Sequence, residues 1–160
     1  MIIASFTCLQ DSLSHMAARK TWWDQGVRFE CQGSGRCCLS RGQYGYVYVT
    51  LEDRRALAKH HGIPTRAFTL KYCEKELGIW KLKGFAKECA FLEGKQCGVY
   101  EARPTQCRTW PFWPETMSAK AWNREVAAFC PGVGKGRTWT REEIEKNLRA
   151  QERSEKQYGT

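Results

Sequence analysis

The hydrophobic and polar positions of this chain change period several times. Residues 44–50, YGYVYVT, place aromatic and β-branched types in a short run that predicts a strand. Thr50 then stands as an N-cap with Asp53 three residues on, and Leu51, Leu57 and Ala58 form an apolar stripe. A helix should follow and stop at Gly62. Ile63–Pro64–Thr65 opens a second short helix through Phe68, Leu70 and Tyr72, and the alternation of residues 79–83 predicts a short strand. Residues 89–114 show no helical period, so loops and short strands are expected there. Residues 118–129 predict a helix carrying Trp122, Val126 and Phe129 on one side, and 130–136 predict a turn. Thr140 and Glu143 form a capping box at the start of a last helix, supported by the pairs Glu142/Lys146 and Glu145/Arg149. Its apolar residues are Ile144 and Leu148, so this helix is expected to be largely solvated and to fray.

At the other end, order is expected from the adjacent indoles Trp22 and Trp23, which are costly to leave in water. Residues 29–38, FECQGSGRCC, predict a tight irregular loop. No repeat or linker divides the chain. The expected organisation is an extension at 1–21, a cysteine-rich domain at 22–136 and a helical tail at 137–160. The expected fold class is α+β: a small irregular single domain with short strands, three to four helices and cysteine-rich loops.

The 160 residues suffice for a hydrophobic core, and seven Trp, seven Phe and six Tyr argue against disorder. The net charge of +9 is spread along the chain and is not gathered in one basic block. It reads as solubilising charge ahead of a nucleic-acid surface, because no basic–aromatic stripe accompanies it. No segment is long enough to span a bilayer. The expected partner is a protein or small molecule, with neither nucleic acid nor membrane involved.

Nine cysteines change the picture: Cys8, Cys31, Cys37, Cys38, Cys73, Cys89, Cys97, Cys107 and Cys130. The N-terminus has no basic stretch ahead of its apolar residues and no small-residue pattern ahead of Cys8, so the expected location is cytoplasmic. Thiols stay reduced there, and clustered cysteines then point to metal or redox chemistry. Thiolate is a soft ligand suited to zinc, iron and iron–sulfur clusters. Cys8 fits a small core residue. The other eight are candidate metal ligands, enough for two four-thiolate sites or for one site with spare thiols. None has the C-x2-C spacing of zinc ribbons. His15, His60 and His61 lack ligand spacing. Arg103 and Arg108 flank Cys107 and are candidates to offset thiolate charge and donate to sulfur. Residues 110–114, WPFWP, would wall the site or join the core.

The order F-x-C, G-x-C-C, C-x-F-L, C-x-V-Y, R-P-x-Q-C-R-T-W-P-F-W-P and C-P-G resembles the YkgJ-type cysteine-cluster family of zinc- or iron-chelating domains. The resemblance runs from Trp22 to Gly136 and is most specific over Tyr100–Pro114. It implies Cys31, Cys37, Cys38, Cys89, Cys97, Cys107 and Cys130 as ligands, with zinc, iron or an iron–sulfur cluster as cofactor. One departure stands out. The family often has C-x-x-C-G-x-C-C, and Ser34 occupies the second cysteine position here. Cys73 is the candidate to fill that vacancy. The same motif occurs in flagellin lysine methylases, which makes an iron-dependent redox or group-transfer enzyme the alternative to a metal-holding module. The chain carries no GxGxxG, P-loop or Ser/His/Asp arrangement.

Overall fold

The computed structural model describes residues 20–39, 45–84 and 87–160. Cys8, His15 and Tyr44 lie outside them, as does nearly all of the expected extension. The class is α+β, with three separate two-stranded sheets. Strand β1 (Val27–Phe29) pairs antiparallel with β6 (Val133–Trp139), joining the two ends of the cysteine-rich stretch. Residues 131–132 of the expected turn at 130–136 do turn, but from Val133 on the chain is strand β6. Glycines 134 and 136 take positive φ in β6, and the register slips between Arg28 and Phe29, so its pattern does not alternate cleanly.

Helix α1 (Leu51–His60) begins at the predicted Thr50/Asp53 capping box, and α2 (Thr65–Tyr72) follows Gly62. Strands β2 (Cys73–Glu76) and β3 (Ile79–Leu82) make a hairpin. The expected strand at 44–50 is an extended segment held against β3. Val49 N–H donates to the Trp80 carbonyl, Leu82 N–H donates to Val47, and Tyr48 forms an isolated bridge with Lys81. Two small strands, β4 (Leu92–Glu93) and β5 (Gln96–Cys97), carry the next cysteine turn.

A short helix α3 (Thr105–Thr109) lies in the segment expected to be loops and short strands. Then α4 (Ala119–Ala121), a π-helical turn (Trp122–Val126) and α5 (Ala127–Phe129) form the predicted helical stretch, with Trp122 and Val126 buried. Helix α6 (Arg141–Glu155) closes the chain. Among the described residues no helix is long and apolar enough to cross a membrane.

Two hydrophobic cores result. One gathers Val47, Val49, Leu57, Phe68, Leu82, Phe91 and Val99. The other gathers Val27, Phe29, Phe112, Met117, Trp122, Val126 and Ile144. Burial removes apolar surface from water, the main favourable term for a chain of this size. Helix α6 is not the solvated tail that its composition suggested. Ile144 is fully buried, and Gln151 and Ser154 are buried with it. Gln151 Oε1 accepts from Thr109 Oγ1 at 3.0 Å, so a polar contact docks α6 onto α3.

The start of α6 offers a direct test of local sequence control. Thr140 N–H donates to Glu143 Oε2 at 2.9 Å, and Glu143 N–H donates to Thr140 Oγ1 at 3.3 Å. Thr140→Ala is expected to cost about 1 kcal/mol in a urea melt. A loss of only a few tenths would show that packing of Ile144 alone sets this helix start.

Candidate metal centre

The cysteines reach the site on loops whose shape follows from short local rules. Cys37 and Cys38 sit in a 3₁₀ turn (Arg36–Cys38) entered through Gly35, which has φ of 67°. A Cβ at position 35 would press on the Lys95 backbone, so glycine allows this turn to approach the β4–β5 hairpin. Cys89 N–H donates to the Cys38 carbonyl at 2.7 Å, tying the first cysteine loop to the second. Gly132 serves the same purpose on the far side. A Cβ there would collide with the Glu30 carbonyl, and only glycine lets Cys130–Pro131–Gly132 lie along Glu30–Cys31.

Three cysteines share one turn geometry. The backbone N–H two residues on acts on the sulfur: Phe91 on Cys89, Val99 on Cys97 and Gly132 on Cys130. The motifs C-x-F, C-x-V and C-x-G therefore each supply a thiolate with a backbone donor, which favours the charged ligand form.

Cys107 arrives on α3, which is fixed by the polar residues before it. Thr105 donates through N–H and Oγ1 to Asp53 Oδ1, at 2.8 and 2.9 Å. Gln106 Oε1 accepts from Tyr48 N–H at 2.8 Å, and its Nε2 donates to the Tyr46 carbonyl at 3.1 Å. Gln106 thus completes the open edge of the 45–50 segment, much as a neighbouring strand would. The Thr-Gln pair in R-P-T-Q-C holds the helix that presents Cys107. Sequence reading assigned these two residues no role.

The thiols interact strongly. Cys37 and Cys38 sulfurs stand 4.0 Å apart. The hydrogen bond to Cys38 pushes the Cys37 thiol up, and desolvation adds to it. Cys38 is lowered by Cys37, but its bond to Cys89, its burial and the Cys89 and Cys97 charges prevail and push it up to about 12. Cys89 is lowered, first by that bond from Cys38. Burial raises Cys97 and Cys107, with like charge on Cys37 acting on both. Burial raises Cys130 as well, and Cys31 and Cys37 add to it. Cys38, Cys97 and Cys107 are therefore neighbours of both Cys37 and Cys89, while Cys130 adjoins them through Cys37 and Cys31 adjoins through Cys130.

Arg103 provides the cation. Its charge lowers Cys37, Cys97 and Cys107. It is held by stacking on Tyr100 at 3.5 Å and by Nε–H donation to the Tyr100 carbonyl at 2.8 Å. Arg108 has another task. It donates to the Arg103 carbonyl at 2.9 Å and to Thr105 Oγ1 at 3.0 Å, bracing the turn. Trp110 Nε1–H is buried without a well-formed partner among the described residues, and it acts on the Cys130 sulfur. Phe112 is core, and Trp113 donates to the Gln106 carbonyl, so the aromatic run serves packing as well as the site.

Cys73 stands apart. It is buried on β2 opposite Leu82, and burial pushes its thiol up to about 11, opposed by Arg54 and Lys83. No sulfur is among its influential neighbours, so the structure does not bring it to the place left by Ser34. His60 and His61 are also away from the thiols' work. His60 Nε2 lies 3.3 Å from the Gly98 carbonyl, and His61 stacks among Phe68, Tyr72 and Phe91.

The donor set suits a soft cation. Burial and mutual proximity hold these thiols protonated, and a bound metal would take the place of those protons. Among the described residues no group of three or more His, Cys, Asp or Glu side chains is placed to hold a metal ion as the structure stands.

Thiols converging from separate loops, with backbone donors and one arginine, are the features of a cysteine-cluster metal-chelating domain. The model of the family CxxCxxCC, described as "Putative zinc- or iron-chelating domain", matches residues 30–131, and the chain belongs to that family. The match begins one residue before Cys31 and ends one after Cys130. No solved structure matches the chain significantly.

Proposed function

We propose that this protein is a metal-holding module that binds zinc or an iron centre through Cys31, Cys37, Cys38, Cys89, Cys97, Cys107 and Cys130. The observation that carries the reading is the proximity of thiols from four separate segments, with Arg103 acting on Cys37, Cys97 and Cys107. A nearly all-sulfur donor set favours structural zinc or an iron–sulfur cluster over an open hydrolytic zinc, which keeps nitrogen or oxygen ligands and water. Arg103 balances the negative charge that four thiolates leave on a divalent metal. In this reading Cys73 is a core residue, and the thiols work in a reducing compartment such as the cytoplasm.

The test is metal and acid-labile sulfide analysis of anaerobically purified protein, with Cys107→Ser and Cys73→Ser alongside. Zinc or iron at one or more per chain is expected in the wild type and in Cys73→Ser. At least half should be lost in Cys107→Ser. Metal-free protein with fully reduced thiols would overturn the reading. Equal loss in both variants would return Cys73 to the ligand set.

A further inference from the structure

A cavity of about 300 Å³ opens between α3, the extended 45–50 segment and the end of α6. Its size is at the lower end of small-molecule sites. Gln106, the residue before Cys107, lines it together with Gln151, and the amides of both are already engaged. Gln106 bonds the backbone of Tyr46 and Tyr48. Gln151 bonds Thr109 through its oxygen, and Glu155 and Tyr158 through its nitrogen. Trp113 also lines the cavity, and its indole N–H is directed to the Gln106 carbonyl and Thr109 Oγ1, both at 3.1 Å. A ligand therefore meets few free donors here.

What the cavity does offer is aromatic surface and negative charge. Tyr48, Trp113 and Tyr158 line it, with the two tyrosine rings 5.3 Å apart. Glu115 and Glu155 line it too. Glu115 makes no hydrogen bond or ion pair among the described residues, and no cation there pairs with Glu155. Two carboxylates without a basic partner are notable in a chain with net charge +9. Aromatic faces attract desolvated cations, and the carboxylates balance the charge.

We propose that this cavity binds a small alkylammonium cation, with its alkylated nitrogen against Tyr48, Trp113 and Tyr158 and its charge offset by Glu115 and Glu155. The proposal does not rest on the metal reading. Gln106 is shared between the cavity wall and the helix that presents Cys107, so the two sites are neighbours in the fold but differ in chemistry.

The test uses the intact protein as purified, with choline as probe and 3,3-dimethyl-1-butanol as its neutral isostere. Binding is read by tryptophan fluorescence and calorimetry at constant ionic strength, with sodium chloride as the salt control. Saturable choline binding is expected, with the isostere about tenfold weaker or more, since one factor of ten reflects a cation–π contribution of ordinary size. Glu115→Gln, at an exposed side chain without partners, should weaken choline about fivefold or more, as loss of one neutralising charge does. Metal content measured on the same samples should not change. Three outcomes would overturn the proposal: equal binding of choline and the isostere, unchanged affinity in Glu115→Gln, or no saturable signal beyond the salt control. Absence of choline binding in wild-type protein that holds metal would count against this cavity alone.

Discussion

Removing the metal under reducing conditions is expected to lower Tm by at least ~10 °C, or to abolish the cooperative transition, since each kcal/mol moves Tm by about 2–4 °C at this size. Structural zinc contributes about 10–16 kcal/mol in small thiolate domains at neutral pH. Here the thiols join two cores. Cys38, Cys97 and Cys107 pack against one, and Cys130 packs against the other. A metal spanning them would link the cores directly, and without it the thiols sit between the cores as neutral groups that make no such bond. The pH dependence should reverse between the two forms. Without metal, Cys38 at about 12 and Cys73 at about 11 hold their protons more tightly than in the unfolded chain. That contribution is complete below the unfolded value of about 8.5 and is lost as pH rises through the folded values. With metal the ligands are deprotonated, so the metal's contribution grows as pH rises from about 6 to 8. Melts at several pH values, with and without chelator, read both slopes. Identical Tm values in the two conditions would show that the fold does not depend on a bound metal.

The parts of this fold that were legible in the sequence are those set by nearby residues. The capping boxes at Thr50/Asp53 and Thr140/Glu143 and the stop at Gly62 are local, and all three appear where the residues place them. The family was legible because the spacing of its cysteines with glycine, proline and aromatic residues is distinctive. The pairing of β6 was not, since residues 130–136, C-P-G-V-G-K-G, read as a turn and only β1, over a hundred residues earlier, makes the stretch from Val133 a strand. Helix α3 was hidden for a related reason. Its five residues are too few to show a period, and side-chain bonds from Thr105 and Gln106 to distant segments hold it. Burial of α6 was missed because two of its buried residues are polar, Gln151 and Ser154. Arg103 and Arg108 look alike in sequence. Only the Tyr100 stacking and the turn at Pro104 separate the one beside the sulfurs from the one bracing the backbone.

Asp53→Ala is expected to destabilise the protein by about 3 kcal/mol and to weaken metal binding, although Asp53 touches no cysteine. Its carboxylate is 4 % exposed and serves two elements. Oδ2 accepts from Thr50 N–H at 3.0 Å and from Thr50 Oγ1 at 2.9 Å, closing the capping box of α1. Oδ1 accepts from Thr105 N–H and Oγ1 and so fixes the first turn of α3. Removing the carboxylate leaves buried donors on both sides unpaired, and each costs about 1–3 kcal/mol where water cannot replace the partner. The loss of the cap adds about 1 kcal/mol. Since α3 carries Cys107 two residues beyond Thr105, a loosened first turn moves a ligand away from its neighbours, and affinity falls with stability. Glu52→Ala, on the exposed face of the same helix, should change stability by less than about 0.5 kcal/mol and leave affinity unaltered. Urea melts read the first effect and competition with a chromophoric chelator reads the second. If Asp53→Ala lowered stability and left affinity at the wild-type value, Cys107 would be positioned by its own packing and not by the Asp53–Thr105 contact.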